Sequence, residues 1–539
     1  MAQIPLSGLP STFRVPGGYV QLRVAQGPSS ASAGERDVCL VMPKLAASGA
    51  WSANTEYRIR SEQDAIDGAG EGSFLHIAAR EFLRHNKNSK LYAVPYLPSS
   101  ATSLETADLD LEVTFASGSN PTAAGIGAVY IGGEACSFSY STVDTATTIG
   151  DSIEAAINAR TWLPVSASNT SGTVTITCKT AGIAGGDGTR PVVRVRMEFS
   201  PSTNVTLQSE NSLTSDFLGN SSGQAGVDGS TTEASNLNTA LSSLDVTRRY
   251  YVVTSTYLSD GSDEGWDYVN SHVVTKSAPK QGLRSIGVAA AVHTLADVTG
   301  DVNSLNSERF RVAWQKNSDK HPAQIAAAYA AILQAGESLD AAYNFDGFRG
   351  GRQDITNGWF IPAAADNGDW PDTDDVNDAI NDGITVIQSD DLGSYIVMSC
   401  CTRSKDAGGT VDDFRATETH RVSAADFVLD TLLLRFRLDF ANFKLAPDQL
   451  LADGVTVDPR QRIASRTTTP STFKPWMIRQ LNTFGPAGRG LLVRLTDTES
   501  GLDVLLDPDN SGRLEVGFPM YVVNLLHQAT IRADEATEG

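Results

Sequence analysis

Apolar and polar residues change rhythm several times along this chain. Near the N-terminus GGYVQLRVA alternates, the period of a half-buried strand, and carries Tyr19, Val20, Leu22 and Val24. CLVMP, from Cys39, is a continuous apolar run that predicts a second strand. In GSFLHIAAREFLRHN, Phe74, Ala78 and Phe82 form one i, i+4 row and Leu75, Ala79 and Leu83 the row beside it, with His76, Arg80 and Arg84 on another face. That spacing predicts an amphipathic helix capped by Ser73, and KLYAVPY after it a strand.

From about 106 to 235 the rhythm shortens. Ser, Thr, Gly and Ala dominate, and GAVYIGG, GTVTITCKT and RPVVRVRM read as strands parted by glycine turns, with one helix in TIGDSIEAAINAR. Thirteen acids against five bases give this stretch a net charge of −8, the balance of a solvent-facing domain. From 236 to 388 strands (RRYYVVTST, LRSIGVAAAVH, RFRVAWQ) alternate with helices, among them PAQIAAAYAAILQAG with Ile325, Tyr329 and Ile332 on one face. Such alternation predicts a parallel α/β sheet. Beyond 390 follow a strand in SYIVMSCCTR, helices in SAADFVLDTLLLRFRLDF and STFKPWMIRQL, and several strands. The last, VVNLLHQATIR, holds Val523, Leu525, Leu526 and Ile531, and ADEATEG makes a short charged tail.

The simplest layout is one α/β domain, 25–105 and 236–388, interrupted by a mostly-β domain at 106–235. A C-terminal domain at 389–520 follows, and strand arms at 1–24 and 521–539 flank the whole. A length of 539 residues, with 41% apolar and 19% charged, fits a folded chain of two to four domains. A net charge of −21 argues against a general binder of nucleic acid or anionic membranes. No apolar run is long enough for a membrane helix, and the first residues lack the basic start and apolar core of a secretory signal. The five cysteines, Cys39, Cys136, Cys178, Cys400 and Cys401, form no CxxC, so neither a disulfide framework nor zinc is indicated. A reducing cytoplasm fits, and Cys400 and Cys401 read as packing.

Candidate chemistry mostly dissolves into local structure. DWPDTDDVNDAINDGI holds six aspartates in sixteen residues, yet from Asp372 a calcium loop fails at Val376 and Asn377. Val376, Ala379, Ile380 and Gly383 follow helical spacing instead, with Asp372, Asp374 and Asp375 at the helix N-terminus, where the dipole favours negative charge. DPDNSGRLE reaches Phe518 where a calcium loop needs glutamate, so it reads as a turn. GAGEGS, 68–73, lacks the P-loop lysine and reads as a mobile linker before a helix cap. No GxSxG is present, Ser230 and Glu233 read as a capping box, and the seven histidines make no HExxH. No enzyme signature survives. The stretch 460–494 differs: seven Arg/Lys, among them Arg460, Arg462, Arg466, Lys474, Arg479 and Arg489, stand with no Asp or Glu. It reads either as a solvated basic face or as a surface for docking on an acidic protein.

Several segments together resemble the contractile tail sheath proteins of bacteriophages, most closely the Mu-like myovirus branch. FRVPGGYVQLRV, GSFLHIAAREFLRHNKNSKLYAVPY, DAINDGITVIQSDDLGSYIVMSCCTR, TPSTFKPWMIRQL and DPDNSGRLEVGFPMYVVNLLHQATIR carry the resemblance by their order and spacing. It implies a subtilisin-like, non-catalytic α/β multi-domain protein, with an inserted mostly-β outer domain, an α+β C-terminal domain lining the lumen and terminal β-strand arms. It also implies stacked hexameric rings around a tail tube, contraction that drives the tube through the host envelope, and no cofactor. The partners implied are further copies, the tube protein, baseplate and tail terminator proteins, with no nucleic acid or membrane. The place implied is the virion, after assembly in the host cytoplasm. The stretch SCCTRSKDAGGTVDDF departs from the family's text, and ADEATEG extends past its last strand. Terminal strands at 14–24 and 521–532 are suited to adding to a neighbour's open sheet edge. The basic stretch is the expected tube-facing surface. Sheaths of bacteriocin or secretion systems share these expectations. A degenerate hydrolase and a β-rich virion adhesin are the other classes open.

Overall fold

The computed structural model describes residues 36–87, 89–98, 107–183, 192–200, 205–209, 215–218, 232–245, 247–254, 265–278, 281–347, 370–390, 393–402, 418–507 and 512–525. Tyr19, Val20, Leu22 and Val24 of the first arm, and Leu526 and Ile531 of the last, lie outside them.

The body is a mixed α/β unit on an eight-stranded sheet. β1 (Val38–Pro43) runs parallel between β3 (Leu91–Tyr96) and β12 (Tyr251–Thr254), and β13 (Ile286–Ala291), β14 (Phe310–Trp314) and β15 (Thr385–Asp390) continue it in parallel. β2 (Tyr57–Ile59) and β16 (Gly393–Ile396) close the two edges antiparallel. Every residue of β1, β13 and β14 is buried, so β1 and β13 carry no charged residue and β14 is apolar but for Arg311. Alternate side chains serve opposite faces. Val38, Leu40 and Met42 join a core with helices α1 (Glu62–Ala69), α2 (Phe74–His85) and α7 (Pro322–Leu339). Cys39 and Val41 join a second core, with α4 (Glu233–Ser242), α5 (Gly265–Ser277), α6 (Leu295–Leu305) and α8 (Thr373–Asn381).

Helix starts are set by local chemistry. Ser73 accepts from the His76 N–H, and Asp372 accepts from the Asp375 N–H at 2.8 Å, so the aspartate-rich stretch opens a helix. Two local expectations are corrected. The cap of α4 is Thr232, whose hydroxyl accepts from the Ser235 N–H, and Glu233 is buried with the Tyr96 hydroxyl donating to it at 3.0 Å. Residues 68–70 and 72–73 are buried rather than a mobile linker, with Gly70 and Gly72 at φ +94° and +83°. A Cβ on Gly72 would meet the Leu163 carbonyl at 2.4 Å, so only glycine fits where this turn meets the inserted region.

The inserted region is a pair of antiparallel sheets. β4 (Asp108–Phe115), β7 (Val165–Thr170), β8 (Thr173–Cys178) and β10 (Val205–Ser209) form one. β5 (Gly125–Ile131), β6 (Glu134–Tyr140), β9 (Arg194–Ser200) and β11 (Ser215–Phe217) form the other, and α3 (Ala146–Asn158) lies against both. Its buried apolar side chains run into the core that the body shares with α1, α2 and α7, and polar contacts add to that junction: Arg194 donates to the Asn317 carbonyl at 2.5 Å, and Arg194 and Arg196 approach Asp319 at 3.8 and 3.9 Å.

The C-terminal region has its own small core. It comprises α9 (Thr419–Asp439), β17 (Lys444–Leu445), β18 (Thr467–Thr468), α10 (Pro470–Asn482), α11 (Leu495–Ser500), β19 (Asp503–Leu506) and β20 (Leu514–Gly517). Phe427, Phe473, Trp476, Leu481, Phe484 and Leu492 centre that core. SYIVMSCCTR is a strand only as far as Ile396, and Cys400 then makes a single bridge to Glu418. The described part of VVNLLHQATIR likewise makes one bridge, Val522 to Leu492. Among the described residues no helix is long and apolar enough to cross a membrane.

Candidate interaction surfaces

The C-terminal region meets the body through buried ions. Glu337 of α7 lies between Arg36 and Arg311, with Arg311 Nη1 donating at 3.0 Å, the Ser423 hydroxyl at 2.7 Å and the Tyr251 hydroxyl completing its shell. Burial acts to raise the Glu337 pKa, but the two guanidiniums and these hydroxyl donors outweigh it and hold the carboxylate below its usual range. One turn along α9, Asp426 accepts from Arg309 at 2.6 and 2.9 Å and from the Tyr250 hydroxyl at 3.3 Å. Asp430 accepts from Arg248 at 2.5 Å and from Arg284. Breaking one such pair leaves a buried charge, at a cost of about 3–5 kcal/mol. The sequence reading missed this network. Its trace was a lone glutamate in an alanine-rich helix and two aspartates, i and i+4, on a helix otherwise apolar over that turn.

Both ends of the described chain converge here. Arg36 Nη2 donates to the Ser423 carbonyl at 3.1 Å, and His420 Nε2 lies 2.8 Å from the Val523 carbonyl. Val493 N–H donates to the Tyr521 carbonyl at 2.8 Å and Val523 N–H to the Leu491 carbonyl at 2.9 Å, so the last arm starts on its own subunit. Val523 and Leu525 are half-buried there.

Beyond that junction α9 is uncovered. Nine of the fourteen large apolar side chains that stand exposed among the described residues fall between Leu433 and Val516. Phe436, Phe440, Phe443, Trp476, Leu514 and Phe518 line an open groove of about 540 Å³. Its aromatic rings interlock, with Phe440 5.1 Å from Phe473 and edge-on to Trp476 at 5.1 Å. The β19–β20 hairpin forms one side and pairs with no third strand among the described residues. Leu505 and Val516 stand exposed on it.

The basic stretch divides. Arg460, Arg462 and Arg466 are exposed before β18, and Arg466 has φ +55°. Lys474 is half-buried on α10. Arg479 and Arg489 line a second concavity, joined by Arg435 of α9, which lies outside the stretch the charge pattern singled out. The five cysteines are free and buried, and burial raises the thiol pKa of Cys400. Among the described residues no three His, Cys, Asp or Glu side chains are grouped to hold a metal. Of the aspartates in α8 and its cap, Asp375 faces Lys316 at 3.7 Å, and Asp382 accepts from the Thr299 hydroxyl at 3.0 Å.

No protein-family model matches the chain, and no curated protein does. Solved structures similar to it include the sheath tail protein of Desulfitobacterium hafniense, 13% identical with a TM-score of 0.43, over 94% of this chain and 100% of that one. The sheath tail protein of Listeria innocua is 15% identical with a TM-score of 0.43, over 92% and 97% of the two chains. A chain of the anti-feeding prophage baseplate is 10% identical with a TM-score of 0.41, over 97% and 100%.

Proposed function

We propose that this chain is the structural, non-enzymatic subunit of a contractile tail sheath, assembling as stacked hexameric rings around a tail tube and contracting to drive it through a host envelope. The carrying observation is the unfinished C-terminal region. A two-stranded hairpin with free edges is marginal by itself, and here it borders an apolar groove. Both ends of the described chain, Arg36 and Leu525, lie near the first half of α9, in the same region. Arms at 1–24 and 521–539 from neighbouring copies would complete that sheet through main-chain hydrogen bonds, with Val20, Leu22, Leu526 and Ile531 among the side chains to be covered. In this reading the parallel sheet is the subtilisin-like body without a working triad, the inserted β sheets face outward, and the basic stretch faces the tube. The sequence resemblance supports the same assignment. Bacteriocin and secretion-type sheaths share it.

Electron microscopy of the purified chain, concentrated alone and with its tube protein, tests the reading. Hollow striated tubes, lost on deleting residues 1–20 or 521–539, are expected. Dispersed subunits in both samples would overturn it. Raised salt is expected to loosen sheath from tube. An adhesin would instead bind a glycan through the inserted sheets and form no tubes.

A further inference from the structure

The second concavity, about 530 Å³, is lined by Thr431, Arg435, Arg479, Gln480, Asn482 and Arg489 among others, with no carboxylate in its wall. Arg435 and Arg479 are exposed, and neither has a hydrogen bond or ion pair among the described residues. Arg489 is half-buried, its guanidinium 4.6 Å from the centre of the Phe427 ring. The one acid whose charge acts on Arg489 is Asp340, which stands outside the wall, and burial lowers the Arg489 pKa. Guanidinium groups carry fixed charge and a forked donor set matched to carboxylates. Three of them lining one concavity that has no carboxylate in its wall, in a chain of net charge −21, suit it to an anion.

We propose that this pocket binds acidic peptide, and that in the free subunit its occupant is the chain's own carboxy-terminal segment, through Asp534, Glu535 and Glu538. Three observations favour that occupant. The main chain is pinned at Val523 to Leu491, two residues from Arg489. Asp534 lies nine residues beyond Leu525, about 30 Å of extended chain. Arg435, the far wall, is fifteen residues along α9 from the His420 that holds Val523, roughly 22 Å. The segment after Arg532 carries three acids and no base.

The test uses dispersed subunits at low salt, checked by sedimentation, and therefore does not depend on tube formation. The probe is a fluorescein-labelled peptide of sequence RADEATEG, followed by anisotropy. The chain lacking residues 533–539 is expected to bind it at least tenfold more tightly than the full chain. D534N/E535Q/E538Q in the full chain is expected to behave like the truncation. R435Q/R479Q in the truncated chain, both positions being exposed, is expected to fold normally and lose binding. Equal binding by the full and truncated chains, or unchanged binding by R435Q/R479Q, overturns the proposal. A dimer that dissolves on truncation also overturns it, since the occupant is then a second copy's segment.

Discussion

The body and the C-terminal region are built to different degrees of completeness. In the body, a mostly parallel sheet is covered on both faces, and its strands β1, β13 and β14 are buried throughout. In the C-terminal region, a small core carries an aromatic groove and a lone hairpin on its outside. In the first, the apolar side chains of the sheet are already out of water. The second keeps apolar surface and strand edges exposed, which soluble proteins generally avoid unless a partner covers them. The two regions thus differ in how far their own residues cover their apolar surface.

Five measurements sharpen or break that division. The largest effect is expected from L505D/V516D on the hairpin: tubes vanish in electron micrographs while the melting temperature of the subunit moves by no more than a few degrees. Loss of subunit stability of the same size as in core variants would erase the distinction. Next, Glu337→Gln leaves Arg36 and Arg311 facing a neutral group, and a loss of about 3–5 kcal/mol is expected in denaturant unfolding of the subunit.

A pH series comes third. Burial lowers the pKa of His321 from 6.5 to about 3, and burial with the nearby Lys276 lowers that of His272 from 6.5 to about 4. Between those values the unfolded chain binds the proton and the folded chain does not, so stability falls as pH drops below about 6.5. The depressed Glu337 adds its own loss at lower pH, as the solution passes below its unfolded value. His321→Asn keeps a side-chain acceptor for the Ala323 N–H and removes up to about 1.4 kcal/mol per pH unit from that slope. An unchanged slope would show that His321 titrates normally. Fourth, Gly383→Ala puts a Cβ 2.4 Å from the Cys401 carbonyl at φ +81°, and a loss of about 1–3 kcal/mol is expected in thermal unfolding. The smallest effect is expected from Val455→Ser, at a side chain 82% exposed: within about 0.5 kcal/mol in stability.

What the sequence disclosed followed how local the cause was. β1, β13, β14, α2 and α7 were legible because burial on both faces or along one stripe writes itself into consecutive residues. Ser73 was legible as a cap because the bond it makes spans three residues, and Asp372, read only as one of three acids at a helix N-terminus, makes the same bond. Ser230 and Glu233 satisfied the same spacing and misled, since Glu233 had been recruited by Tyr96, 137 residues away. GAGEGS looked loose because its glycines serve close approach, Gly68 to Trp51, Gly70 to Ser48 and Gly72 to Leu163, rather than freedom. The interaction surfaces were the least legible. Glu337 finds partners 301 and 26 residues distant. Arg435 joins Arg479 and Arg489 only once α9 and α10 are packed together. The groove is a property of what fails to cover Phe436 and Phe443, which no pattern of residues encodes.

Helix α9 runs unbroken through both regions, about 32 Å over its 21 residues. Its first half is clamped by the Asp426 and Asp430 ion pairs, and its second half carries Phe436 at the edge of the groove. A rod held at one end and loaded at the other behaves as a crank. Load that reaches the groove end of α9 would pass along the rod to the Asp426 and Asp430 ion pairs, with each i to i−4 hydrogen bond resisting bending on the way.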